Sequence, residues 1–297
     1  RRDAGPPRRG FERSSPHPSL ASIFTRFARY LLVASSAGHP LPICWLPAAM
    51  VAPTPVSALL HAVAVVKAGV FCVLKITVYI FGIEVLQSTS ANMIIVYLAA
   101  ITMLLASLVA IQQDNLKARL AYSTISQLAY IVLGAALATS VSIVGASMHL
   151  ATHAVGKITL FFCAGAIYTA TKKTSIKDMR GIGYQMPYTM LAYTIAAISI
   201  IGLPPMVGSW SKWFLIDGAL SSGQIVLAVA FLISTLLNIV YLMPIAINAF
   251  INKPANTEYQ YQEAPKSLLI PLCMTALLCL LLFFLMPYFY EFLQRIP

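Results

Sequence analysis

The string MHLATHAVGK (148–157) places His149, His153 and Lys157 four residues apart. On an α-helix that spacing puts all three on one stripe with only slow drift. Two imidazoles that titrate near neutral pH stand in line with an amine that can release its proton when taken out of water. Those are the parts of a proton relay. Thr152 lies beside them. Two histidines one turn apart also suit a metal ion, but no carboxylate or cysteine is near them in sequence, and the relay is the stronger reading. In GLPPMVGSWSK (202–212), Gly202, Pro204, Pro205 and Gly208 interrupt an apolar run just before Lys212. Irregular backbone at membrane depth persists only where it is buried in protein or lines a cavity, and a broken helix beside an ionisable residue is a recurring ion site. The competing reading is a simple proline kink with Lys212 paired to Asp217. His61 and Lys67 lie six residues apart, about 120° around a helix, so a neighbouring helix would have to join them.

The elements that carry these residues are membrane-spanning. The chain is 59% apolar and 10% charged, with a mean hydropathy of +0.80, whereas a water-soluble domain carries about a quarter charged residues. Seven apolar runs fall at 56–81, 93–112, 120–139, 143–170, 188–218, 223–250 and 266–290. A helix of about 20 residues crosses the hydrocarbon core, so the expected fold is an all-α polytopic membrane protein of about seven helices, one of them broken. Each lysine at the centre of a span costs about 2.5–3.5 kcal/mol on insertion scales. Lys67, Lys157 and Lys212 are therefore expected to face the bundle interior, while Lys75, nearer its helix end, also suits snorkelling to the interface. The loops 113–119, 171–187 and 251–265 with its flank hold eight Lys and Arg, and the alternate loops hold none. That asymmetry puts the basic loops on the cytoplasmic or matrix side.

Residues 1–43 differ in kind: seven Arg and no Lys, with only Asp3 and Glu12 as acids. An organellar transit peptide, a wrong-frame stretch or a junction would each give such a composition. This segment is set apart from a transmembrane domain at 44–297. Four of the five cysteines lie inside apolar runs and none has metal-ligand spacing. No GxGxxG or GxxxxGK[ST] loop occurs, so no cofactor is expected, and any redox chemistry would belong to another chain. No nucleic-acid-binding pattern accompanies the basic balance.

WLPAAMVAPTPVSALLHAVAVVKAG (45–69), LAYSTISQLAY (120–130), MHLATHAVGK and GLPPMVGSWSK resemble, in that order, the antiporter-like membrane subunits. These occur in respiratory complex I (NADH–quinone oxidoreductase) and in Mrp-type cation/proton antiporters. The resemblance implies two inverted five-helix repeats in the family, of which this chain would carry one complete repeat plus flanking helices, as a C-terminal half. It implies a proton and cation pathway through Lys67, His61, His149, His153, Lys157 and Lys212, with Lys117 a further basic residue at the start of the LAYST helix. It also implies other membrane subunits as partners, protons with Na+ or K+ as the transported ions, a lipid bilayer around the chain, and a bacterial inner membrane or a mitochondrial inner membrane as its place. RGIGYQMPYTM (180–190) looks most like the D-type member of the Mrp antiporter subunits, with a complex I membrane subunit as the alternative. A seven-helix receptor or retinal protein is the distant competitor, weakened because Glu84 and Asp217 sit near helix ends and no acid lies at mid-span. The loop charges generate one direct test: single cysteines introduced at Ser88 and Ser175 are expected to react with an impermeant thiol reagent from opposite faces of sealed vesicles. Labelling of both from one face would overturn the orientation.

Overall fold

The computed structural model describes residues 64–88, 91–251 and 261–295. His61, residues 1–43 and most of the loop 251–265 lie outside the described residues. Every named element is helical. Helix α1 (Val65–Lys75) runs into a π-helical turn (Ile76–Phe81), and the short α2 (Ile83–Ser88) follows. Then come α3 (Ala91–Gln112), α4 (Leu116–Ala136), α5 (Ser140–Thr171), the short α6 (Ile182–Gln185), α7 (Pro187–Ile201), α8 (Gly208–Ser221), α9 (Ile225–Ile251) and α10 (Lys266–Leu293). By length and composition α3, α5, α9 and α10 are each able to cross a bilayer, and α7 is a shorter apolar helix. The count of about seven spans stays an expectation.

Local chemistry explains the boundaries. The Asn115 side chain accepts from the Ala118 N–H, which starts α4 early enough to draw Lys117 and Arg119 into the helix. Thr139 and Ser142 form a reciprocal capping box at the start of α5. Arg119 donates to the Ile111 and Gln113 carbonyls, closing the end of α3, and reaches across to the Tyr241 carbonyl of α9 at 3.1 Å. A helix end has carbonyls without intrahelical partners and a partial negative charge, and a guanidinium satisfies both. At the other pole of a helix, the Glu263 carboxylate accepts from the Tyr188 and Thr189 N–H groups and the Thr189 hydroxyl, capping the first turn of α7.

Helix α5 is the axis of the bundle: it packs against α4, α7, α8 and α10, while α9 packs against α3, α7 and α8. The α5–α8 contact is made backbone to backbone. A Cβ on Gly145 would sit 2.9 Å from the Leu215 nitrogen, and one on Gly218 would sit 2.6–2.8 Å from Ser142 atoms. Small residues at such crossings let dispersion attraction act at short range, which matters in lipid, where no hydrophobic force drives helices together. Helix α10 leaves Ile270, Met274, Phe284 and Tyr288 exposed, an apolar face suited to acyl chains.

The interruption expected from the Gly and Pro residues of 202–208 is present. Helix α7 ends at Gly202, whose φ of +87° falls in the left-handed region that other residues enter at a cost, and α8 begins at Gly208. The two halves meet so closely that a Cβ on Gly208 would stand 1.9 Å from the Ser199 carbonyl oxygen. Backbone cannot yield as a side chain can. Gly208→Ala is therefore expected to cost more than about 3 kcal/mol, the upper part of the usual overpacking range. Gly156→Ala, which meets mainly the Ile200 side chain, should cost less than about 1.5 kcal/mol. Unfolding by SDS titration in mixed micelles measures both, and equal losses would show that the close approach does not constrain the break.

Candidate functional site

The polar interior is assembled from helices that are otherwise apolar. His149, His153 and Lys157 project from α5 at 2%, 1% and 0% exposure, Lys67 from α1 at 7%, and Lys212 from α8 at 4%. Lys67 Nζ lies 2.5 Å from His153 Nδ1 and donates to the Leu150 carbonyl at 3.2 Å. Lys157 Nζ donates to Ser123 Oγ at 2.6 Å and to the Leu120 carbonyl at 3.2 Å. Lys212 Nζ donates to the Ile201 carbonyl at 3.0 Å and to Thr235 Oγ1 at 3.4 Å. Ile201 is the last residue of α7, so the break supplies the acceptor that holds Lys212. Asp217 is exposed, and the kink-plus-ion-pair reading of Lys212 is replaced by this helix-end contact.

The rings form a second connection. The Lys212 ammonium lies 5.0 Å from the centroid of Tyr130, Tyr130 stacks on His149 at 5.4 Å, and His149 stacks on His153 at 5.9 Å. Lys212, Tyr130, His149, His153 and Lys67 are thus consecutive neighbours, drawn from α8, α4, α5 and α1.

His153 and Lys157, adjacent on the α5 stripe, are joined by neither a hydrogen bond nor a ring contact, and His153 Nε2 is buried with no partner among the described residues. The link between the histidines and Lys157 runs instead through α4 and α9. His149 Nε2 meets Gln127 Oε1 at 3.1 Å, and Gln127 Nε2 donates to Asn238 Oδ1 at 3.3 Å. Tyr241 bonds to Asn238 Oδ1 and, at 2.9 Å, to Ser123 Oγ, the acceptor of Lys157. On its other side His149 Nδ1 meets Ser211 Oγ of α8 at 2.9 Å, and Ser211 lies 3.3 Å from Thr152 Oγ1. A separate hydroxyl cluster, Ser107, Ser126 and Ser234, joins α3, α4 and α9.

Of the residues marked in the sequence, the structure brings together Lys67, His149, His153, Lys157 and Lys212. Lys117 stands apart at the start of α4, with its amine 5.6 Å from the Tyr168 ring, which Lys172 also approaches at 5.2 Å. Lys75 is exposed near Phe71. Ser123, Gln127, Tyr130, Ser211, Thr235, Asn238 and Tyr241 join the site without having stood out by residue type. Their spacing does carry a signal: Ser123, Gln127 and Tyr130 on α4, and Ser234, Asn238 and Tyr241 on α9, each recur at i, i+4 and i+7.

Residues 20–238 match the profile of the family described as NADH:quinone oxidoreductase/Mrp antiporter, transmembrane. The chain is 34% identical over 242 residues to NADH-quinone oxidoreductase subunit N of Desulforudis audaxviator, an alignment covering 77% of this chain and 48% of that protein. It is 35% identical over 261 residues to F(420)H(2) dehydrogenase subunit L of Methanosarcina mazei, covering 84% and 38%. The chain thus spans about half or less of these relatives. Its fold is shared with a chain of the Mrp complex of Dietzia sp. (TM-score 0.82, 20% identity, 92% of this chain and 58% of that one). It is likewise shared with a chain of respiratory complex I from Thermus thermophilus (TM-score 0.82, 21% identity, 95% and 59%).

The ring between Lys212 and His149 generates a test. Tyr130→Phe removes only the hydroxyl contacts to Thr235 and the Phe231 carbonyl and is expected to cost about 1 kcal/mol. Tyr130→Leu also removes the ring, and desolvated cation–π and stacking contacts add ~2 kcal/mol or more. SDS titration separates the two variants, and equal losses would mean that the ring contributes nothing.

Proposed function

The chain belongs to the NADH:quinone oxidoreductase/Mrp antiporter transmembrane family, and on that premise we propose that it moves protons across an energy-coupling membrane as a subunit of a Mrp-type cation/proton antiporter. The seven-helix receptor or retinal reading gives way to this membership. The observation that carries the mechanism is the set of buried lysines and histidines without a carboxylate among their hydrogen-bond partners. Carbonyls, hydroxyls and an imidazole are neutral acceptors and hold either an amine or an ammonium. A proton can therefore leave one lysine and be taken up at another without stranding an opposite charge in the low-dielectric interior. The partners are other membrane subunits, the exchanged ion is Na+ or K+, and the location is the bacterial inner membrane.

Support for the Mrp assignment comes from RGIGYQMPYTM and from Lys212 on the second half of the broken helix. A second reading, a proton-translocating subunit of an NADH–quinone oxidoreductase, is favoured by the 34% identity to subunit N of such an enzyme. The intact multisubunit assembly, reconstituted in liposomes with an internal pH dye, tests both. Under the Mrp reading an imposed Na+ or K+ gradient drives a pH change. If NADH with quinone drives it and the gradient does not, the second reading holds. Lys157→Ala and Lys212→Ala are expected to lower the proton flux about a hundredfold, the low end of what a positioned acid–base group contributes, with membrane abundance nearly unchanged. Wild-type flux in both variants would remove the lysines from the pathway.

A further inference from the structure

We propose that the charge on Lys157 sets the tautomer of His149 through Ser123, Tyr241, Asn238 and Gln127. While Lys157 is charged, His149 then carries its proton on Nε2 and exchanges protons only at Nδ1, on the Ser211 side. The inference rests on the translocation reading for its meaning and on hydrogen-bond direction for its content.

An ammonium has donors and no lone pair, so Ser123 Oγ must accept from Lys157. The Ser123 hydroxyl then gives its own proton to Tyr241 Oη, and Tyr241 gives its proton to Asn238 Oδ1. With its oxygen facing this side, Asn238 also accepts from Gln127 Nε2. Gln127 therefore turns its oxygen toward His149, and an oxygen there requires N–H on His149 Nε2. Each link in this chain has its direction imposed by the one before.

The direction is held against a cost. Asn238 Nδ2 is buried with no hydrogen-bond partner among the described residues. Turning both amides over would give that nitrogen two acceptors, Tyr241 Oη and Gln127 Oε1, and leave unpartnered only a carbonyl oxygen, the less costly of the two vacancies. The same reversal would send the Tyr241 proton to Ser123, whose O–H would then need a lone pair on Lys157. An ammonium has none. With a neutral or absent amine the obstacle disappears, and Gln127 presents N–H to His149, which must then accept at Nε2 and carry its proton on Nδ1.

The two faces of His149 differ in what they can conduct. The amides of Gln127 and Asn238 neither take up nor release protons near neutral pH, so this side transmits direction and no proton. Ser211 is a hydroxyl that can donate either to His149 Nδ1 or to the Gly208 carbonyl at 3.1 Å and can accept when it turns. Gln127 and Asn238 are accordingly positioning residues, and the proton itself passes at Nδ1.

Solid-state NMR of the full chain with 15N-labelled histidine in lipid bilayers reads the tautomer directly, with His149 identified by the signals lost in His149→Gln. The expected result is a neutral wild-type ring protonated at Nε2, retained in Lys157→Arg and reversed to Nδ1–H in Lys157→Met. In Gln127→Leu the tautomer should no longer respond to Lys157→Met. A wild-type ring protonated at Nδ1, or the same tautomer in wild type and Lys157→Met, overturns the inference. The wild-type spectrum decides even if a variant fails to fold. Because the tautomer is read without any ion flux, its failure leaves the transport reading standing, and failure of transport leaves the tautomer result standing.

Discussion

A lysine in the middle of a bilayer must be given hydrogen-bond acceptors by the protein, and much of this interior is arranged around that need. Lys67, Lys157 and Lys212 each meet one backbone carbonyl and one neutral side-chain acceptor: Leu150 with His153, Leu120 with Ser123, and Ile201 with Thr235. Removing a charge from water is costly, and a single carboxylate would repay part of that cost only by fixing the charge in place. Neutral acceptors repay less and fix nothing. The arrangement gives up some stability and keeps the lysines able to change state.

The broken helix is where this need shapes the backbone. An unbroken α7–α8 rod would have its carbonyls engaged along its length, leaving none at mid-depth for Lys212. Ending α7 at Ile201 frees that carbonyl, and the close approach at Gly208 returns the chain so that Lys212 can reach it. Gly145 and Gly218 then bring α8 against α5 backbone to backbone, which places Ser211 within hydrogen-bond distance of His149. Loop, close packing and polar contact are steps of one construction.

Much of this is legible in the amino-acid order, for reasons that differ from residue to residue. Lys157 and Lys212 declare themselves because charge inside an apolar run has few harmless explanations. The break declares itself because Pro and Gly act on the backbone locally, with no need of a partner. Asn238 and Tyr241 do not, because Ser, Asn and Tyr are tolerated on membrane helices for many reasons and acquire meaning only when a facing helix is known. Their spacing on α9 matches that of Ser123, Gln127 and Tyr130 on α4, but nothing in a linear sequence says that the two stripes oppose each other. The connection of His153 to Lys67, 86 positions earlier, is hidden for the same reason. Spacing places His153 and Lys157 together on α5, while their partners lie on different helices.

Helix α7 has an anion at one pole and a cation at the other: the Glu263 carboxylate on its first N–H groups and the Lys212 amine on its last carbonyl. Its 15 residues separate the two by about 22 Å. Each charge opposes the partial charge of the helix end that it touches, so the helix and its two termini together resemble a charged capacitor whose plates are a surface carboxylate and a buried amine. Discharging the inner plate, by loss of the Lys212 proton, leaves the field of the helix balanced only at its outer end. The segment 261–265, which carries Glu263 and bonds to Gln185 and Ala170 through Gln262, is thereby wired electrostatically to the proton occupancy of a site deep in the membrane.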